Sequence, residues 1–216
     1  MVALMQIGTT VQWLSTASDV IVAIAAIFAG VAGVRGLTAW KQQLTGKVEY
    51  DLARSLLRSV FQLRDAITSA RNPFVQYSET PDLPEEKLKA LSIEEKRWHA
   101  LTQAYQKRWD PIHESMTVVD ANTLEAEVVW GENVEKKVKE IRKLVGELRW
   151  AIGDYLEGQN PNEAQGQRNP DTIAERMSIL FARGKVDQDP YQQKLENAIK
   201  AIEDQIRPTL KRYHAR

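Results

Sequence analysis

The sequence predicts an all-α protein in which a single N-terminal transmembrane helix continues into an antiparallel helical bundle. Three observations carry that prediction. Val20 to Val34 reads VIVAIAAIFAGVAGV, with no charged or strongly polar side chain. Beyond it, apolar residues recur at steps of three and four, and no stretch shows sustained strand alternation with turn signals. Finally, 27 % of the 216 residues are charged and 43 % hydrophobic, which suits a soluble domain plus an anchor and is too polar for a chain of many spans.

The apolar run alone gives about 22 Å of helix, short of the roughly 30 Å hydrocarbon core. Extending it from Asp19 to Trp40 gives about 33 Å. In that frame Asp19 lies at one interface, Trp40 at the other, and Arg35 is near enough to an end to snorkel. A frame starting at Trp13 places the Asp19 carboxylate deeper, at a cost of up to about 2.5–3.5 kcal/mol, so the 19–40 frame is preferred. Eight Val, Ile or Phe residues contribute roughly −2.4 to −4.8 kcal/mol toward insertion. A cleaved signal peptide is disfavoured because the segment lacks a basic n-region. A buried core helix is disfavoured by the length of the run.

Orientation follows from the basic residues. Positions 1–19 contain no Lys or Arg, whereas Arg35, Lys41, Lys47 and Arg54 follow the span. The positive-inside rule therefore expects residues 1–18 outside, a transmembrane helix over 19–40, a stalk helix over 41–71 and a cytoplasmic helical bundle over 72–216. Ala26, Gly30 and Gly33 fall at i, i+4, i+7, a small-residue spacing that lets helices approach closely in lipid and predicts self-association. The alternative is the ordinary abundance of Gly and Ala in membrane helices.

Val48, Leu52, Leu56, Val60, Leu63 and Ile67 keep helical spacing along the stalk, with a joint expected at Gly46 and an end at Asn72-Pro73. Residues 72–86, with three prolines, read as a loop. Ser92 and Glu95 form a capping-box pattern that starts a helix at Ile93. Its period carries through Asp110-Pro111, as a kink or two abutting helices, and ends at Trp130-Gly131. Val134, Val138, Ile141, Val145, Leu148, Ile152 and Tyr155 then alternate steps of four and three, a seam suited to a partner helix at a shallow angle. Residues 158–170 read as a flexible loop, 171–183 as a short helix, and Asp189-Pro190 as the cap of a last helix that Pro208 ends.

The chemistry-bearing residues do not converge. With 29 basic and 29 acidic residues there is no basic surplus for nucleic acid. No cysteine is present, which excludes disulfides and thiolate sites. Glu95 and His99 sit one helical turn apart, but the repeated Glu-x-x-His of di-metal bundles does not occur. His99, His113 and His214 are widely separated, and phosphate-loop, dinucleotide and G-x-S-x-G patterns are missing. No catalytic, cofactor-binding or metal-binding residue is therefore assigned. Trp98, Trp109, Trp130 and Trp150 could serve the core or a partner. Lys41 and Lys47, with Arg54, Arg58 and Arg64 further on, could meet lipid headgroups, although Glu49 and Asp51 dilute that charge.

The segments TAWKQQLTGKVEYDLARSLLRSVFQLRDAITSARNPF (38–74), LEAEVVWG (124–131), ELRWAIGDYL (147–156) and IEDQIRPTLKR (202–212) resemble a set of uncharacterised bacterial proteins with an N-terminal membrane helix and a helical cytoplasmic domain. The resemblance implies a bacterial inner-membrane location and no known activity. The expected function is that of a membrane-tethered interaction or scaffold module without catalysis. Its expected partners are the bilayer, further copies of the chain through the span or the 134–155 seam, and an unidentified protein. The alternative is an effector whose span assembles into a pore, with Asp19 and Arg35 at the mouths.

Overall fold

A computed structural model describes residues 2–74, 81–163, 169–184 and 186–214, with side chains from position 26 onward except 27, 213 and 214. Among the described residues the regular elements are all helical. They are α1 (Val2–Ala70), α2 (Glu85–Ala90), α3 (Ile93–Trp130), α4 (Glu132–Gly158), α5 (Pro170–Leu180), a short 3-10 turn (Val186–Gln188) and α6 (Pro190–His214). The chain forms two compact units, Met1–Val48 and Glu49–Arg216.

The first unit is helical throughout its described residues, with no interruption at Gly46, where a joint was expected. Phe28, Val31, Val34, Leu37, Trp40, Leu44 and Val48 are 45–71 % exposed. Among the described residues no helix is long and apolar enough to cross a membrane. The span expected to do so, 19–40, includes positions 19–25 and 27, whose side chains lie outside those described.

In the second unit the residues expected as a free stalk are part of the core. Leu52, Leu56, Val60, Leu63 and Ile67 are 0–7 % exposed, because their stripe is covered by the bundle. Polar contacts fix the direction of packing. The Ser55 hydroxyl donates to Asn122 Oδ1 at 2.9 Å, and the Asn122 amide donates to Ser59. Just past the end of α1, Arg108 donates to the Asn72 carbonyl at 2.9 Å. Later residues of one helix meet earlier residues of the other, so α1 and α3 are antiparallel.

The capping box closes as expected. Ser92 Oγ accepts from the Glu95 amide at 3.2 Å, and Glu95 Oε2 accepts from the Ser92 amide at 2.8 Å. α3 then passes Pro111 without ending. Both Pro111 and Lys107, whose carbonyl loses its partner, are exposed, so water can take that acceptor. A single residue, Gly131, joins α3 to α4, at φ 74° and ψ −174°. That backbone region is essentially restricted to glycine. The two helices return antiparallel, with Trp98 Nε1 donating to the Leu156 carbonyl at 3.0 Å and Asp120 accepting from Arg142 at 2.8 Å.

α4 lies at the centre. Val134, Val138, Ile141, Val145, Leu148 and Ile152 are 0–9 % exposed, and half-buried Tyr155 meets Tyr105 and Phe181 edge to face. The seam is thus spent inside this chain on α3, α5 and α6, and is not a free face for another copy. α6 packs antiparallel to α4, with the Tyr191 hydroxyl donating to the Leu144 carbonyl at 2.8 Å. α6 also corrects an expectation, because it runs past Pro208 to His214. Pro208 and Asp204, whose carbonyl it leaves free, are both exposed. The short α2 falls partly within the expected 72–86 loop, with acidic Glu85 and Glu86 in its first turn and Lys87 and Lys89 in its last.

Two glycines give opposite expected outcomes. Gly131→Ala forces a Cβ into a glycine-only conformation and lowers stability by about 1–3 kcal/mol. Gly153→Ala, mid-helix with open space around the new Cβ, raises it by about 0.5–1 kcal/mol. Denaturant midpoints of the full chain, followed by helical circular dichroism, check both signs.

Candidate functional site

The most concentrated chemistry in the chain is a buried cation. The α1 stripe Leu56, Val60, Leu63, Ile67 continues by four to Arg71, which is 0 % exposed just after the helix ends. Its guanidinium makes hydrogen bonds through all three nitrogens. Nε donates to the Ile179 carbonyl at 2.7 Å, and one terminal nitrogen donates to Gln192 Oε1 at 3.2 Å. The other donates to the Ser178 carbonyl at 3.2 Å and to both Asp189 oxygens at 3.0 and 2.9 Å. The guanidinium carbon sits 4.4 Å from the centre of the Tyr191 ring.

Each partner is itself held. Asp189 is 2 % exposed and caps α6, accepting from the Gln192 amide at 3.0 Å and the Arg183 amide at 3.1 Å. Burial pushes its carboxyl up, but the hydrogen bonds from Arg71, Gln192 and Arg183, with the Arg71 charge, outweigh this and hold it below the usual carboxylate range. Burial also raises the Tyr191 hydroxyl well above its ordinary value, so it stays protonated as a donor to Leu144. The Arg71 carbonyl accepts from the Ala182 amide at 3.0 Å. Arg71 therefore joins the end of α1, the C-terminal carbonyls of α5 and the start of α6. At 0 % exposure it is closed to an anion or substrate from solvent. It is a structural clamp.

The residues considered for metal binding are not assembled. Glu95 is committed to the Ser92 cap and accepts from Asn162 at 3.2 Å; these bonds, the Ser92 amide first, hold its carboxyl below the ordinary value despite slight desolvation. The His99 ring lies edge-on to Trp98 at 4.9 Å. His113 is exposed on α3, and the His214 side chain lies outside the described residues. Among the described residues no group of three or more His, Asp or Glu could hold a metal ion. A cavity of about 510 Å³ between α4 and α6 is lined by Lys136, Lys137, Glu140 and Gln205. It is shallow, and Lys136 already pairs with Glu132 at 3.1 Å.

The tryptophans divide. Trp98 is tied to Leu156, Trp109 lies under the Arg149 guanidinium at 5.6 Å, and Trp130 packs against the core. Trp150 is 69 % exposed. Of the basic residues, Arg64 is partly exposed and pairs with Asp65 at 2.9 Å, its guanidinium 5.2 Å from the centre of the Phe61 ring. Lys41, Lys47, Arg54 and Arg58 stand exposed or nearly so.

In the first unit, Ala26, Gly30, Gly33, Arg35, Trp40 and Lys41 are exposed, and a Cβ on Gly30, Gly33 or Gly36 would meet nothing within 4 Å. The Asp19 side chain lies outside the described residues. The site thus consists of an uncovered apolar helix surface, and no family model, curated protein or solved structure matches the chain.

Arg71 went unassigned in the sequence. Its signal was a cation occupying the next position of an apolar stripe, one turn beyond Ile67. Breaking the clamp from either side has a large expected cost. Arg71→Met and Asp189→Asn each lower stability by about 3–5 kcal/mol, since each strands a buried partner. Because the Asp189 carboxyl is depressed in the folded state, its contribution is complete above the unfolded value near pH 3.9 and is lost as pH falls through the lower folded value. Acid titration of stability should show a shallower loss in Asp189→Asn than in the parent; identical acid limbs would refute the assignment.

Proposed function

We propose that the chain is a membrane-anchored helical interaction module, without catalytic activity of its own. Its N-terminal helix lies in a bacterial inner membrane and its bundle on the cytoplasmic side. The observation that carries the reading is the bare apolar surface of the first unit. Phe28 is 71 % exposed, Val34 67 % and Leu37 64 %, on a helix whose neighbouring sequence is the charge-free run from Val20. Soluble chains rarely leave so continuous an apolar surface to water. Lipid satisfies it, and the Arg35, Lys41 and Lys47 cluster orients it.

The bundle supports a binding role in preference to a reaction. Its buried charges are consumed by one another, while Trp150 on α4 and Leu124 and Val128 on α3, 67 and 88 % exposed, remain available for a protein partner. Within the span, Ala26, Gly30 and Gly33 provide the face for self-association.

High-speed centrifugation of lysate tests the anchor. The full chain is expected in the membrane pellet, released by detergent and not by high salt; a chain that stays in the detergent-free supernatant overturns the proposal. Self-association in the span is tested with Ala26→Cys. Its disulfide-linked dimer should form in membranes and be lost when Gly30 and Gly33 are both replaced by leucine. An ion leak that rises with expression would favour the pore reading over a tether.

A further inference from the structure

The outer face of α3 carries a second apolar stripe, which the described residues leave open. Thr117, Ala121, Leu124 and Val128 follow one another at steps of four, three and four, and all are exposed, Leu124 at 67 % and Val128 at 88 %. At about 100° per residue they occupy about 60° of the helix circumference. Val119, Thr123 and Ala126 on the opposite side are buried, so α3 packs into the bundle without using the stripe. Acidic side chains border it on both edges, Glu114 and Glu125 beyond Ala121 and Asp120 and Glu127 beyond Leu124. Between Arg108 and Lys136 the chain holds seven acidic residues and no Lys or Arg. Arg142 pairs with Asp120 at 2.8 Å and Glu135 at 2.6 Å, and Lys136 pairs with Glu132 at 3.1 Å. That leaves Glu114, Glu125 and Glu127 without an ion-pair partner among the described residues. On the neighbouring α1, exposed Asp51 and Arg58 stand one turn to either side of Ser55, the Asn122 partner, and their charges cancel.

We propose that Thr117, Ala121, Leu124 and Val128 receive a basic amphipathic helix of another protein. Its apolar stripe covers them, and its Lys or Arg side chains reach Glu114 and Glu125 on one edge and Glu127 on the other. This rests on the reading of the bundle as an interaction module and is independent of the anchor. The shape of the surface selects a helix. A narrow apolar seam with charged borders, about 16 Å or three turns long, is what a packed helix presents to its partner. Charge selects the sign. The same face of a second copy would set carboxylate against carboxylate, and a surface of anionic lipid headgroups would do likewise. A basic partner meets neither penalty. Beyond Glu125, Val118 and Val129 are 48 and 39 % exposed. They give the aliphatic stems of lysine or arginine a surface to lie on while the charged heads meet the carboxylates.

The probe is a synthetic amphipathic helix of about 14 residues, leucine on one face and lysine on the other, with one benzoylphenylalanine on the leucine face. It is irradiated with the full-length chain in nanodiscs of zwitterionic lipid, and the adducts are located by mass spectrometry. Adducts are expected within 117–128. Their yield should fall about fivefold in the double variant Glu114→Gln, Glu125→Gln. It should vanish in Leu124→Lys, Val128→Lys, with helical content unchanged in both because every altered side chain is exposed. A leucine–glutamate peptide of the same pattern should not label α3. Adducts confined to lipid, scattered along the chain or formed equally with the glutamate peptide overturn the proposal. Adducts concentrated on another face of the bundle, such as that of Trp150, also overturn it, yet they leave the interaction reading standing. A chain that stays in the detergent-free supernatant and still labels at 117–128 keeps this surface and defeats the anchor alone.

Discussion

A buried guanidinium sets the terms for the rest of the bundle. Removing Arg71 from water costs several kcal/mol unless its charge and donors are met. Here they are met by one carboxylate, two carbonyls of α5 and a glutamine of α6. None of these acceptors is near Arg71 in sequence, so the ion can be satisfied only when α1, α5 and α6 are in place together. Hydrophobic contact would tolerate small slips of one helix on another. A planar cation with directed donors tolerates few. The clamp therefore ties α1, α5 and α6 together at fixed positions along each helix.

The same helix faces two different situations along its length. From Leu52 to Ile67 the apolar stripe of α1 is covered by the other helices. From Phe28 to Val48 the apolar positions are bare. A domain that stood alone in water would have little reason to keep Phe28, Leu37 and Trp40 on its surface, since each exposes area worth roughly 25 cal/mol per Å² when buried. The contrast places a bare apolar surface in the first unit, whereas the same helix is covered in the second.

Much of the fold was legible because its signals are local. The Ser92–Glu95 box, the glycine at 131 and the Asp189-Pro190 start each specify a boundary through a few neighbouring atoms. Where legibility failed, solvent or tertiary contact decided. Pro111 and Pro208 did not break their helices because each leaves an orphan carbonyl on the water side, which spacing alone does not reveal. The 134–155 periodicity specifies an apolar face, but periodicity cannot say whether the helix that covers it belongs to the same chain. Residues 41–71 read as a stalk because the helices that cover Leu52 to Ile67 come from much later in the sequence. Arg71 was missed for the same reason: its partners lie 107–121 residues away.

That separation has a consequence for biogenesis. At about 5–20 residues per second, the ribosome needs roughly 5–20 s after making Arg71 to produce Ile179. Throughout that interval the greasy side of residues 52–67 has emerged without the segments that will shelter it. The nascent polypeptide must therefore cross this window with its first apolar stripe unsheltered, and the clamp can close only once the last two helices have been made.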